Sequence, residues 1–99
     1  MVYQVIFKKR FQNKLESLLN YIEKEFGLLV AQRFAKQLDR KFVTLQQQPN
    51  IGQSSLFINN TRSIIAGRHN RIYYRIESNR IIILNMYDMR INPRRNKLR

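Results

Sequence analysis

Arginines recur between Arg62 and Arg90 on what reads as a run of antiparallel strands, and the run closes on Asp88, Met89, Arg90, Ile91, Asn92 and Pro93 followed by a basic tail. Residues 62–99 hold ten basic residues against two acids, and nine of the ten are arginine; the first 61 residues hold nine bases, six of them lysine, and four acids. The kind of cation therefore differs between the halves. Arginine's planar fork bonds phosphate or carboxylate through two donors and stacks on bases, whereas lysine is a hydrated point charge. In the segment 70–77, Arg71, Tyr73 and Arg75 alternate with Ile72, Tyr74 and Ile76. Two cations flanking an aromatic ring on one strand face form an arrangement that holds a phosphate and stacks a base. The neighbouring strand adds Arg62. Charged residues on the outer face of a one-sided sheet are ordinary, so the argument rests on the group and not on any single arginine.

Other side chains are weaker candidates. Tyr87 sits at the end of an apolar strand, where it reads equally as a core or rim aromatic or as a target-binding residue. Asp88 is expected to pair with an arginine, Arg90 or Arg62, rather than to act as a base. His69 lies beside Gly67 and Arg68 and reads as a loop residue; Glu77, beside a hairpin turn, reads as solvated. Arg94, Arg95 and Asn92 extend the basic end. No glycine-rich phosphate loop, paired carboxylates or Ser/His/Asp set is visible. RNA cleavage by such a chain would have to proceed without metal, using the 2′-hydroxyl as nucleophile and arginines to stabilise the scissile phosphate.

Composition narrows the partner class. The net charge of +13 and pI near 11.0 favour an anionic partner. With no cysteine and one histidine, neither a disulfide framework nor a thiolate or His-rich metal site is expected, and no cofactor is called for. The apolar stretch at the N-terminus precedes its charges and is too short for a signal segment. Nothing approaches the ~20 apolar residues of a membrane span, so a cytoplasmic protein with no membrane partner is expected.

The elements that must position these groups follow from periodicity. Residues 2–7 alternate and suit a strand. Phe11, Leu15, Leu18, Leu19, Ile22 and Phe26 step by three and four, as do Ala31, Phe34, Ala35, Leu38, Phe42 and Leu45. Gly27 between the two stripes demands a tight antiparallel helical hairpin. The sequence Gln46-Gln47-Gln48-Pro49-Asn50-Ile51-Gly52 ends the second helix. Strands are expected near 62–66, 70–77 and 80–87, the last two joined at Ser78-Asn79. The expectation is one α+β domain over residues 1–99, an N-terminal strand and a helical hairpin packed on an antiparallel sheet of about four strands, with residues 90–99 a basic tail.

That order, with the segment "LQQQPNIG" at 45–52, the strand opened by Arg62, the segment Asn70-Arg71-Ile72-Tyr73-Tyr74-Arg75-Ile76 and the closing "DMRINP", resembles the RelE/ParE family of bacterial type II toxins over nearly the whole chain. The resemblance implies a toxin neutralised by a cognate antitoxin. In ribosome-dependent members, basic residues on the sheet cleave mRNA, and Arg62, Arg71 and Arg90 fall where that group would sit. Two departures favour the ParE-like branch: Ile64 replaces the second member of a basic pair, and no tyrosine or histidine follows Arg90. ParE-like members inhibit DNA gyrase without catalysis of their own, and there Tyr73, Arg75, Tyr87, Asp88, Asn92, Arg94 and Arg95 would serve as target-binding residues. A ribosome-dependent mRNA endonuclease and a non-toxic nucleic-acid-binding module remain as alternatives.

Overall fold

The computed structural model describes residues 2–56 and 58–90. Strand β1 (Gln4–Phe7) leads into helix α1 (Lys9–Phe26), which is followed at once by α2 (Leu28–Gln47). A 3-10 turn over Pro49–Ile51 then precedes the short strand β2 (Gln53–Ser54) and the strands β3 (Thr61–Ala66), β4 (Asn70–Glu77) and β5 (Arg80–Asp88). Among the described residues these strands form one sheet in the order β1-β5-β4-β3-β2. Both helices pack on one face of it, and the α+β fold with an N-terminal strand is as the sequence implies.

Two details of the sheet go beyond the expectation of about four antiparallel strands. The N-terminal strand pairs with β5 in parallel, Gln4 opposite Arg80 and Phe7 opposite Ile83. The hairpin together with the strands β2–β4 that follow it forms the long connection that a parallel return needs. The second detail is β2, two residues that pair antiparallel with β3; such a short element leaves no readable alternation.

The hairpin turns on one residue. Gly27 is at once the C-cap of α1 and the N-cap of α2, at φ 96° and ψ 165°, a region populated essentially by glycine. Its N–H donates to the Glu23 carbonyl at 2.9 Å and its carbonyl accepts from Ala31 N–H at 3.2 Å.

The core lies between hairpin and sheet. Phe11, Leu38, Phe42 and Leu45 from the helices meet Ile72, Tyr74, Ile81, Ile83 and Met86 from the sheet. Burying such side chains contributes about 1.5–3 kcal/mol each. Phe7 joins from β1, stacked on Phe11 and edge-on to Phe42 at 5.0 Å between centroids. The first apolar stripe outruns the core, however. At the hairpin tip Phe26, the far end of the first stripe, is 63% exposed and Leu29, outside the second stripe, is 70% exposed, whereas Ala31 at the tip end of the second stripe is buried.

Candidate functional site

A regular β5 would carry Asn85 and Tyr87 on the same face as Ile81 and Ile83. The β4–β5 register instead slips between Tyr73/Asn85 and Tyr74/Ile83, leaving Leu84 as an extra residue. The bulge reverses the parity of the strand. Met86 joins Ile81 and Ile83 in the core, while Asn85 and Tyr87 emerge opposite Tyr73 and Arg71 on the face away from the helices.

There Tyr73 and Tyr87 lie edge to face, 5.8 Å between centroids. Asn85 is only 4% exposed. Its Nδ2 donates to Tyr87 Oη at 3.1 Å, and its Oδ1 accepts from Met86 N–H at 2.8 Å. The amide is thus fixed at both ends and orients the Tyr87 hydroxyl. From α1, Lys14 Nζ sits 3.9 Å from the Tyr87 ring centroid, a cation–π placement, and donates to the Met86 carbonyl at 3.1 Å. That carbonyl lies on the part of β5 beyond its pairing with β1, so lysine caps an otherwise open edge. Burial, and then the charge of Arg10, lower the Lys14 pKa. Burial raises the Tyr73 hydroxyl pKa, partly opposed by Arg71.

The bulge coincides with the β1–α1 corner. Lys8 N–H donates to the Ile83 carbonyl at 2.9 Å, so the run Lys8-Lys9-Arg10 turns beside Leu84. Together the corner, Tyr73, Asn85 and Tyr87 line a cleft of about 410 Å³, which Asn59, Thr61 and Arg75 also line.

The arginines singled out by the sequence are not gathered in one place. Arg75 pairs with Glu77 through its Nε, and Arg80 approaches the same carboxylate at 3.8 Å, while the Glu77 side chain stays 41% exposed. Arg71 Nη1 donates to Ser63 Oγ at 2.8 Å. It lines a separate groove of about 370 Å³ with Lys41, Thr44 and Ile65. Arg62 faces the other way. It sits opposite Tyr74 in the register, on the helix side, where its Nη1 donates to the carbonyls of Asn50 at 3.2 Å and Gly52 at 2.8 Å.

Asp88 pairs with Arg90, one of its two expected partners. Arg90 donates through Nε at 3.0 Å, Nη2 at 2.6 Å and its own backbone N–H at 2.9 Å. These bonds hold the Asp88 carboxyl at a pKa of about 2, below its usual 3.8. His69 lies in the β3–β4 turn, its carbonyl accepting from Met89 N–H at 2.6 Å. Asn92, Arg94 and Arg95 lie outside the described residues.

Sequence reasoning missed Lys8, Lys9, Arg10, Lys14 and Asn85. The Lys8-Lys9-Arg10 triplet is visible as a charge cluster, but only the parallel pairing of β1 brings it to Tyr87. Among the described residues no cluster of His, Cys, Asp or Glu could hold a metal, and no helix is long and apolar enough to cross a membrane.

Comparison with known proteins agrees with this architecture. No curated protein sequence matches the chain. Solved structures do: a chain of the chromosomal ParDE toxin–antitoxin system from P. aeruginosa superimposes with a TM-score of 0.74 at 16% identity, covering 88% of this chain and 96% of that one. A chain of the RelBE2 toxin–antitoxin complex from Mycobacterium tuberculosis gives 0.62 at 22% identity over 89% and 99%. The free-state E. coli toxin RelE, as a double mutant, gives 0.60 at 16% identity over 89% and 84%. These identities speak to the fold. The family described as the ParE toxin of type II toxin-antitoxin systems, parDE, matches residues 5–93, nearly the whole chain, and the protein belongs to that family.

Proposed function

We propose that this toxin arrests growth as a ParE-like inhibitor of DNA gyrase, acting by binding and not by catalysis, and that a cognate antitoxin neutralises it in the cytoplasm. The observation that carries the reading is the position of Arg62. An RNA-cleaving set built on Arg62, Arg71 and Arg90 needs three guanidiniums converging on one phosphate. Arg62 is instead spent on the carbonyls of Asn50 and Gly52 on the helix side of the sheet, Arg71 is turned to Ser63, and Arg90 is held by Asp88. Three separated arginines suit a broad protein-contact surface better than a scissile-phosphate site.

The antitoxin reading draws on the P. aeruginosa ParDE and M. tuberculosis RelBE2 systems and on the surface itself. A groove of about 390 Å³ between the helices is lined by Phe7, Phe11, Leu15, Leu19, Leu38 and Phe42. A partner that covers this groove and the basic sheet needs an acidic and apolar segment. Residues 1–99 act as one domain in this reading, with no metal or cofactor.

Tight induction in bacteria with labelled thymidine and amino acid, alongside a supercoiling assay of purified gyrase, tests the proposal. DNA synthesis stopping first, with supercoiling inhibited, is expected. Protein synthesis stopping first with fragmented mRNA would replace it by the endonuclease reading. No arrest, with unaffected supercoiling, would leave the non-toxic nucleic-acid-binding module.

A further inference from the structure

We infer that the cleft at the β1–α1 corner is a binding site for single-stranded nucleic acid, in which Lys8, Lys9 and Arg10 hold the phosphates and a base stacks on one ring of the perpendicular Tyr73–Tyr87 pair. The inference is independent of the gyrase reading and involves no cleavage.

Four observations converge on it. The corner supplies three consecutive exposed cations, and no acidic side chain is among the described residues that line the cleft. The tyrosine pair supplies aromatic surface in the same cleft. Asn85 is buried at 4% exposure beneath them and fixes the Tyr87 hydroxyl, so the aromatic floor is held in place before any ligand arrives. The cleft volume of about 410 Å³ falls within the ~300–1,000 Å³ of small-ligand sites, room for a nucleotide unit and not for a protein domain. A cationic groove that tracks the backbone, joined to aromatic platforms for bases, is the shared chemistry of single-strand binders. A duplex would bury its bases from Tyr73 and Tyr87, and an acidic peptide would leave those rings without a flat partner.

A net charge of +13 binds any polyanion to some degree, so the test must separate the cleft from diffuse charge. Purified protein is titrated into labelled oligonucleotides of about eight nucleotides, within the ~4–16 that single-strand sites span, as DNA and as RNA of matched sequence. The tighter of the two identifies the source of the strand. Two charge-matched triple variants are compared, Lys8→Gln/Lys9→Gln/Arg10→Gln at the corner and Arg33→Gln/Lys36→Gln/Arg40→Gln on exposed α2. The corner variant is expected to lose at least about tenfold and the α2 variant less than about twofold; equal losses overturn the proposal. Tyr73→Leu and Tyr87→Leu are made separately; the one that removes the stacked ring is expected to weaken binding about five- to 160-fold, the range for loss of one stacked base, and unchanged affinity in both overturns the stacking role. Should a variant fail to fold, acetylation footprinting of the unsubstituted protein decides the matter. Protection of Lys8 and Lys9 by the oligonucleotide, with Lys36 and Lys41 unprotected, supports the site, and uniform protection overturns it.

Discussion

Arg62 and Tyr74 show at the scale of single residues how a side chain read as functional can be architectural. Tyr74 is fully buried; its hydroxyl accepts from Gly52 N–H at 2.9 Å and donates to the Pro49 carbonyl at 2.7 Å. With Arg62 on the Asn50 and Gly52 carbonyls, the two side chains satisfy the turn that ends α2. Gly52 must be glycine here because a Cβ would stand 2.5 Å from the Tyr74 hydroxyl and 2.8 Å from the Ser63 carbonyl. Tyr74→Phe strands a buried N–H and carbonyl and should cost about 1–3 kcal/mol in urea unfolding, whereas Arg75→Gln, on a half-exposed surface ion pair, should cost under about 1 kcal/mol. An equal cost for the two would contradict the burial difference. The Asp88 pair makes a pH prediction. Its folded pKa of about 2 lies below the usual 3.8, so its stabilising effect is present above about pH 4 and disappears as pH falls toward 2. The gap in urea midpoint between wild type and Asp88→Asn should therefore be constant from pH 5 to 7 and close on acidification. A gap that widened in acid would reverse the sign.

Among the elements, the hairpin and the bulged strand differ in how openly the sequence declares them. The helical stripes, Gly27 and the Pro49–Gly52 stop are local signals, and the observed α1 and α2 follow them closely. Gly27→Ala should destabilise by about 1–3 kcal/mol, since its φ of 96° is one that residues with a Cβ rarely adopt. Thermal unfolding measures this, and no shift would mean the hairpin turn relaxes freely. Alternation also placed Ile72 and Tyr74 inward correctly. It failed on β5, where isoleucines and leucine fill both faces and give no period, so nothing local marked Leu84 as the extra residue or Tyr87 as outward. Asn85 was illegible for the same reason: its face depends on the bulge.

For the whole molecule, charge and apolar surface set the behaviour. A chain of net charge +13 repels itself when compact. Raising ionic strength from about 0.01 to 0.1 M shortens the screening length from ~30 to ~10 Å, so the melting temperature should rise across that range. A fall would mean that the Arg75–Glu77–Arg80 and Asp88–Arg90 pairs outweigh the repulsion. The exposed tip residues, Phe26 and Leu29 among them, leave apolar surface that the proposed antitoxin would be suited to cover.

By itself, the sequence determined the α+β class, both helices, the three main strands, the family resemblance and the basic character of the C-terminal half, because periodicity, turn residues and composition act between near neighbours. Only the tertiary structure decided which cations meet which rings. Parallel pairing of β1 brought Lys8, Lys9 and Arg10 to Tyr87, 77 to 79 residues further along the chain. One extra residue in β5 reversed its faces, and the register of β3 turned Arg62 inward to the Asn50 and Gly52 carbonyls. Strand side chains alternate with period two, so a single residue of register reassigns a whole face, and register is fixed by pairing between distant segments.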